Sequence, residues 1–274
     1  MKKKFAAIAA FALVLSGCSP QEPTQNANQG DSDPATGVTN PDAVVNLGFL
    51  LEPSGIDPTT VSGAALDQLV DDNVYEGLVR RMPSGDLEPT LAESWDVSDD
   101  GLTYTFNLRQ GVQFHDGSDF DAADVVATLE ASSAEDSKNP DAKLMHAFES
   151  ATEIDEKTVE VRLKEKDINF LEAMGSKAAM MVPSDNEVDL TTESNGTGPF
   201  RIGEWQTGNF ISLERNDDYW GEQAGVKEAV FNYYDDISAA ANALASGQID
   251  ILTSSDADTR SRFEGDSSIQ TVEG

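Results

Sequence analysis
Cysteine is all but absent from this chain: Cys18 is the only one in 274 residues. A lone thiol forms no internal disulfide, and a thiolate zinc site needs partners at set spacing. Histidine is scarce too, with only His115 and His146. Basic residues are few, 18 Lys and Arg against 50 Asp and Glu, for a formal charge of −32. Such a surface repels phosphate backbones, which excludes nucleic acid as a partner class. Its plain role is solubility. There is no Gly-rich phosphate loop, no G-x-S-x-G elbow and no H-E-x-x-H pair. No nucleophile sits with a base, so neither an enzyme nor a cofactor is expected, and direct metal ligation is poorly supported. What is present is apolar material for a core: 39% hydrophobic residues, including 12 Phe, 5 Tyr and 3 Trp.

The N-terminus has the layout of a secretory leader. Lys2, Lys3 and Lys4 precede an apolar run, Phe5 to Leu15, and then the small residues Ser16 and Gly17. That run is too short for a comfortable membrane span. Leu15-Ser16-Gly17-Cys18 resembles the lipobox of bacterial lipoproteins. The resemblance implies a signal peptide at 1–17 and a diacylglycerol-modified Cys18 as first mature residue. Its acyl chains would anchor the protein by burying methylenes in the membrane. Ser19 to Pro41 is rich in Pro, Gly, Asn, Gln, Thr and Asp, with Val38 its one larger aliphatic residue. It buries too little to order itself, so 18–42 reads as a lipidated tether.

From Ala43 the pattern becomes that of a mixed α/β fold. Ala43–Leu50 reads as a strand, Asp57-Pro58 as a turn. Leu66, Leu69, Val70 and Val74 at helical spacing predict a helix over Ala64–Tyr75. Thr103–Leu108 and Lys157–Leu163 alternate as half-buried strands. Asp121 is placed to N-cap a helix from Ala122 to about Ser132. Gly196–Phe200 turns into a strand, and Asn209–Arg215 is another. The Ala-rich Ile237–Ser246 is a helix stopped by Gly247, after which Ile249 and Ile251 start a strand. Asp96–Gly101 mimics half an EF-hand loop, but Asn107 stands at the twelfth position, so it is an acidic turn. His115 beside Asp116 reads as a structural turn histidine, and His146 as a helix-face residue. Asn195 opens a glycosylation sequon of little use in a bacterial lipoprotein. Trp95, Trp205 and Trp220 read as packing residues.

Four stretches together resemble the extracytoplasmic solute-binding proteins of ABC transporters, in the oligopeptide/dipeptide/nickel family. They are VYEGLVRRMPSGDLEPTLAESWDVSDDGLTYTFNLRQGVQFHDGSDFDAADVVATLE (Val74–Glu130), GTGPFRIGEW (Gly196–Trp205), ISLERNDDYWG (Ile211–Gly221) and ALASGQIDIL (Ala243–Leu252). Gln110 and Gln113 depart from the usual pattern. The resemblance implies a type II periplasmic-binding-protein-like α/β lobe, formed by 43–60 and 180–274. An extra α/β subdomain, 61–179, is inserted in it. A second lobe, normally following the equivalent of the C-terminal SIQTVEG, is missing, so the chain is expected to be a fragment or a truncated product. The signature residues are expected to be scaffold. Ligand contacts are expected from Ser62, Gly63 and Ala64, whose other reading is a helix N-cap at Ser62. They are also expected from Thr253, Ser254 and Ser255, otherwise a solvated loop. Leu144 and Met145 are placed on the subdomain side of the cleft, or in its core. The implied function is capture of di- or oligopeptides and delivery to a membrane permease. Binding of nickel or a metal chelate, and peptide sensing, are the alternatives.

Overall fold
The computed structural model describes residues 40–272. The expected leader, Cys18 and the expected tether as far as residue 39 lie outside the described residues. The elements run, in order, β1 (Val44–Phe49), α1 (Ala64–Val70), β2 (Val79–Arg81), β3 (Leu87–Pro89), β4 (Ala92–Val97), β5 (Thr103–Leu108) and α2 (Ala122–Ser133). There follow β6 (Phe148–Asp155), β7 (Thr158–Leu163), α3 (Phe170–Ala173), β8 (Phe200–Gln206) and β9 (Phe210–Arg215). Last come β10 (Glu228–Tyr233), α4 (Ile237–Ser246), β11 (Ile251–Leu252) and α5 (Ala257–Phe263).

One sheet has five strands in the order β11-β1-β10-β9-β8. β1 is parallel to both neighbours, running from Val44 opposite Glu228 to Phe49 opposite Tyr233, with Leu47 opposite Ile251 on the other side. β10, β9 and β8 form an antiparallel meander. Parallel strands need a crossover, and α4 supplies it between β10 and β11, with β1 lying between them. Asp236 caps α4 by accepting from the Ala239 N–H at 2.8 Å, and the helix ends at Gly247 as its sequence suggests.

The second sheet has four antiparallel strands in the order β4-β5-β7-β6. Alternation puts Tyr104, Phe106 and Leu108 of β5, and Val159, Val161 and Leu163 of β7, into one core. α2 packs on this sheet. Its N-terminus is closed reciprocally: Asp121 accepts from Ala123 N–H at 2.8 Å, and its own N–H donates to Asp124 Oδ2 at 2.9 Å. Phe114, Phe120, Leu129, Phe170 and Met174 complete the core.

A separate core lies under the five-stranded sheet: Phe49, Ile56, Leu66, Leu69, Val70, Val74, Tyr75, Met180, Ile211, Leu213 and Phe231. The Phe49 and Phe231 rings stack at 4.8 Å. This core contains the apolar stripe of α1, so residues 61–75 pack with the five-stranded lobe. The expected boundary, with 61–179 as the inserted subdomain, differs from this packing. The packing changes over between Tyr75 and Leu78 instead. α1 is also shorter than its apolar spacing predicts, ending at Val70. Asp71, Asp72 and Asn73 favour turns over helix, Asp72 takes a left-handed φ of 56°, and Asn73 Nδ2 bonds back to Leu69 O at 3.3 Å. The turn still delivers Val74 and Tyr75 to the core.

Candidate functional site
Because β1, β10 and β11 run the same way, their C-terminal ends share one edge of the sheet. In open α/β sheets that edge is where ligands are bound. Here it carries Leu50 and Leu51 after β1, Tyr233 and Tyr234 at the end of β10, and Thr253, Ser254 and Ser255 after β11. Leu51 is 66% exposed, a large apolar group open to solvent.

The expected contact residues divide into those at this edge and those elsewhere. Thr253 is at the edge, but its hydroxyl donates to Gly48 O at 2.8 Å and its N–H to the same oxygen at 3.2 Å. Its side chain therefore fastens β11 to β1. Ser254 and Ser255 are exposed beside it. The Ser255 carbonyl accepts from Arg260 Nη1 at 2.9 Å, and Asp256 caps α5 through Thr259 N–H at 2.7 Å. Ser62, Gly63 and Ala64 are exposed at the start of α1. Ser62 does not cap that helix. Gly63 occupies the capping position with φ 123°, a conformation that other residues strongly resist, and no side chain caps the helix. Met145 is 2% exposed within the core of the four-stranded sheet, with Leu144 packed against that core. Met145 is thus a packing residue, because the short 3-10 turn at Ala142–Met145 points it inward.

One residue at the edge was not expected. Glu52 accepts from the indole N–H of Trp205 at 2.7 Å and from Gly208 N–H at 2.9 Å, so the β8–β9 hairpin holds the segment leaving β1. A lone Glu in a loop carries no sequence signal for this, since its partner lies 153 positions away. Farther along, Asp57 sets the turn by accepting from Thr59 N–H at 2.8 Å and from the Thr59 and Thr60 hydroxyls at 2.7 Å. The Tyr233 hydroxyl is buried without a partner, and burial together with the charge of Glu52 pushes its pKa up.

The signature stretches meet one another. His115 accepts at Nδ1 from Gly196 N–H at 3.2 Å, and its Nε2 donates to Gly198 O at 3.2 Å. Both ring nitrogens are thereby used in one neutral tautomer, and burial lowers the pKa to about 4. The Asn195 side chain is buried, donating to Asp116 at 2.7 Å and to Asn186 at 2.9 Å, which leaves the sequon closed to modification. Glu76 is also buried and accepts from Thr197, Tyr219 and Trp220. These contacts make the signature residues scaffold. Two concavities lie elsewhere. One, of about 390 Å³, is walled by Asp67, Asp71, Asp72, Asp141 and Lys177, and Lys177 pairs with Asp67. The other, of about 770 Å³, opens beside Glu93, Asp155 and Lys157. Among the described residues no group of three or more His, Cys, Asp or Glu is placed to hold a metal ion, and no helix is long and apolar enough to cross a membrane.

The model of the bacterial extracellular solute-binding proteins, family 5 Middle, matches residues 86–274. The chain belongs to this family. Glutathione-binding protein GsiB of Pectobacterium atrosepticum is 33% identical over 183 residues, 65% of this solute-binding protein and 35% of GsiB. Heme-binding protein A of Haemophilus influenzae is 27% identical over 97% of this chain and 53% of its own. Among solved structures, the ABC transporter-associated periplasmic binding protein DppA from Helicobacter pylori, in complex with peptide STSA, superposes with a TM-score of 0.74 at 27% identity. The match covers 81% of this chain and 49% of DppA. This solute-binding protein therefore has the periplasmic-binding-protein-like α/β lobe with its additional subdomain, and spans about a third to a half of the length of these relatives.

Proposed function
We propose that this solute-binding protein captures peptides or peptide-like solutes outside the cytoplasm and hands them to a membrane permease of an ABC importer. One observation carries the reading: three parallel strands end at a single edge, beside the exposed Ser254 and Ser255. Among the described residues β11 is the last strand of its sheet, and no other strand pairs with the backbone groups of its outer side. An extended peptide pairs with such backbone groups and is read loosely in its side chains. Ser62, Gly63 and Ala64, exposed at the start of α1, are proposed as further polar contacts once the solute is enclosed. Leu50 and Leu51 supply apolar surface to cover the solute. Closure of a facing lobe over this edge is a hinge motion that the solute drives by fitting the closed state better. The acylated Cys18 and the tether would hold the protein at the membrane surface, next to the permease.

A relative that binds glutathione and a neighbour solved with a peptide support the peptide class. Thermal-shift and calorimetric titrations of the chain with tri- and tetrapeptides, glutathione, hemin and a nickel–histidine chelate test it. Stabilisation by the peptides or glutathione is expected, reduced by the Ser254→Ala/Ser255→Ala double variant. Stabilisation by hemin or the chelate alone would overturn the peptide assignment.

A further inference from the structure
Three separated stretches of sequence converge on one buried carboxylate. Glu76 is 2% exposed and lies between Tyr75, in the core of the five-stranded lobe, and Leu78, in the core of the four-stranded subdomain. Its Oε2 accepts from the Thr197 hydroxyl and the Trp220 indole N–H, and its Oε1 from the Tyr219 hydroxyl, each at 2.8 Å. Thr197 leads into β8 of the lobe. Trp220 packs on the subdomain core, with the guanidinium of Arg109 4.4 Å above its ring. The carboxyl therefore ties the two bodies together.

All three donors are neutral. Among the described residues no lysine or arginine forms an ion pair with Glu76. Arg109 is engaged by Thr90 O at 2.9 Å and Glu93 at 4.0 Å, and Arg80 by Glu88 at 3.1 Å. The negative charge of Asp72 adds to the effect of burial. A buried charge without a counter-ion is costly, and here burial raises the pKa to about 7.

We propose that Glu76 is a proton-operated fastener of the joint between lobe and subdomain, tight when the carboxyl is protonated and loosened when it ionises. In the protonated form the O–H on Oε1 donates to the Tyr219 oxygen, whose own proton turns away from the carboxyl, while Oε2 still accepts from Thr197 and Trp220, so no charge is buried. The sign follows. The folded state holds this proton more tightly than the unfolded chain, whose carboxyl titrates near 4.5. The contribution is complete below that pH and is lost as pH rises to about 7. An exported protein meets such changes directly.

The test compares the wild-type chain with Glu76→Gln. The amide preserves the protonated pattern: its oxygen accepts from Thr197 and Trp220, and its N–H donates to Tyr219. His115 is held neutral and gives a slope of opposite sign, but it does so in both chains, so the gap between their melting temperatures is what reports on Glu76. Between pH 5.5 and 8.5 that gap is expected to change by about 4–8 °C in favour of the variant. Asp71, at the rim of the acidic concavity, is also raised by desolvation and by Asp67 and gives a slope of the same sign, so Asp71→Asn serves as control only in the local readout at Trp220, where it keeps the wild-type behaviour. The indole N–H resonance of Trp220, identified against Trp95→Phe and Trp205→Phe, supplies a second readout. It is expected to titrate with a midpoint near pH 7 in wild type and Asp71→Asn, and to stay flat in Glu76→Gln. No titration above pH 5.5 in the wild-type chain, or an unchanged titration or unchanged gap with Glu76→Gln, overturns the proposal. Should that variant fail to fold, the wild-type and Asp71→Asn resonances still decide it.

Discussion

The clasp between Glu52 and Trp205 is open to a direct energetic test. Trp205→Phe keeps an aromatic ring in the core and removes only the indole N–H, 2.7 Å from Glu52 Oε1. Glu52→Ala removes the acceptor and also frees Gly208 N–H, 2.9 Å from Oε2. A hydrogen bond to a charged group contributes about 1.5–3 kcal/mol when well buried. This pair is only part-buried, so solvent reduces the expected coupling to about 1 kcal/mol. Urea unfolding of wild type, both single variants and the double variant closes a thermodynamic cycle. The double variant should be less destabilised than the sum of the singles by about that amount. Backbone amides of residues 50–53 should exchange faster in either single variant, because the segment leaving β1 has lost its attachment to the β8–β9 hairpin. Additivity within about 0.3 kcal/mol would show that the 2.7 Å contact is energetically empty, and the argument that the hairpin positions this edge would fall.

Gly196→Ala places a β-carbon 2.0 Å from Val74 O, against backbone that cannot yield. It should cost about 3 kcal/mol in denaturant unfolding, and a loss below about 1 kcal/mol would contradict the close approach. Met145→Ala should destabilise by about 2–5 kcal/mol while leaving solute affinity in calorimetry unchanged, because Met145 is core; a selective loss of affinity would return it to the cleft. Cys18→Ala should move the protein from the membrane to the soluble fraction on cell fractionation; persistent membrane association would remove the acyl anchor from the proposed function. Asp121→Ala should cost about 1 kcal/mol by thermal unfolding, since the cap of α2 closes on both sides, and an unchanged melting temperature would mean that the closure adds nothing.

Regular elements were legible wherever their periodicity was local. β5 and β7 alternate along a few residues, and α2 and α4 carry their capping Asp in place, so neighbouring residues suffice to predict them. β6 and β10 escaped because their polar and apolar residues mix, and partner strands rather than pattern define them. α1 ends before its apolar spacing does for a related reason. Apolar spacing continues through Val74, but the Asp-Asp-Asn run breaks the helix, and the core accepts Val74 and Tyr75 from a turn just as well.

Composition and local order by themselves determined a globular α/β chain behind a leader-like N-terminus, acidic and poor in cysteine and histidine. They also marked signature stretches sufficient to point to a family. Tertiary structure alone decided that those stretches converge on Glu76 and His115, that Met145 is core, that Thr253 fastens two strands, and that Glu52 is clasped by Trp205. Each depends on contacts between residues far apart in the chain. Local propensity carries no record of such distance, because the energy of a buried or hydrogen-bonded group is set by what the fold brings against it.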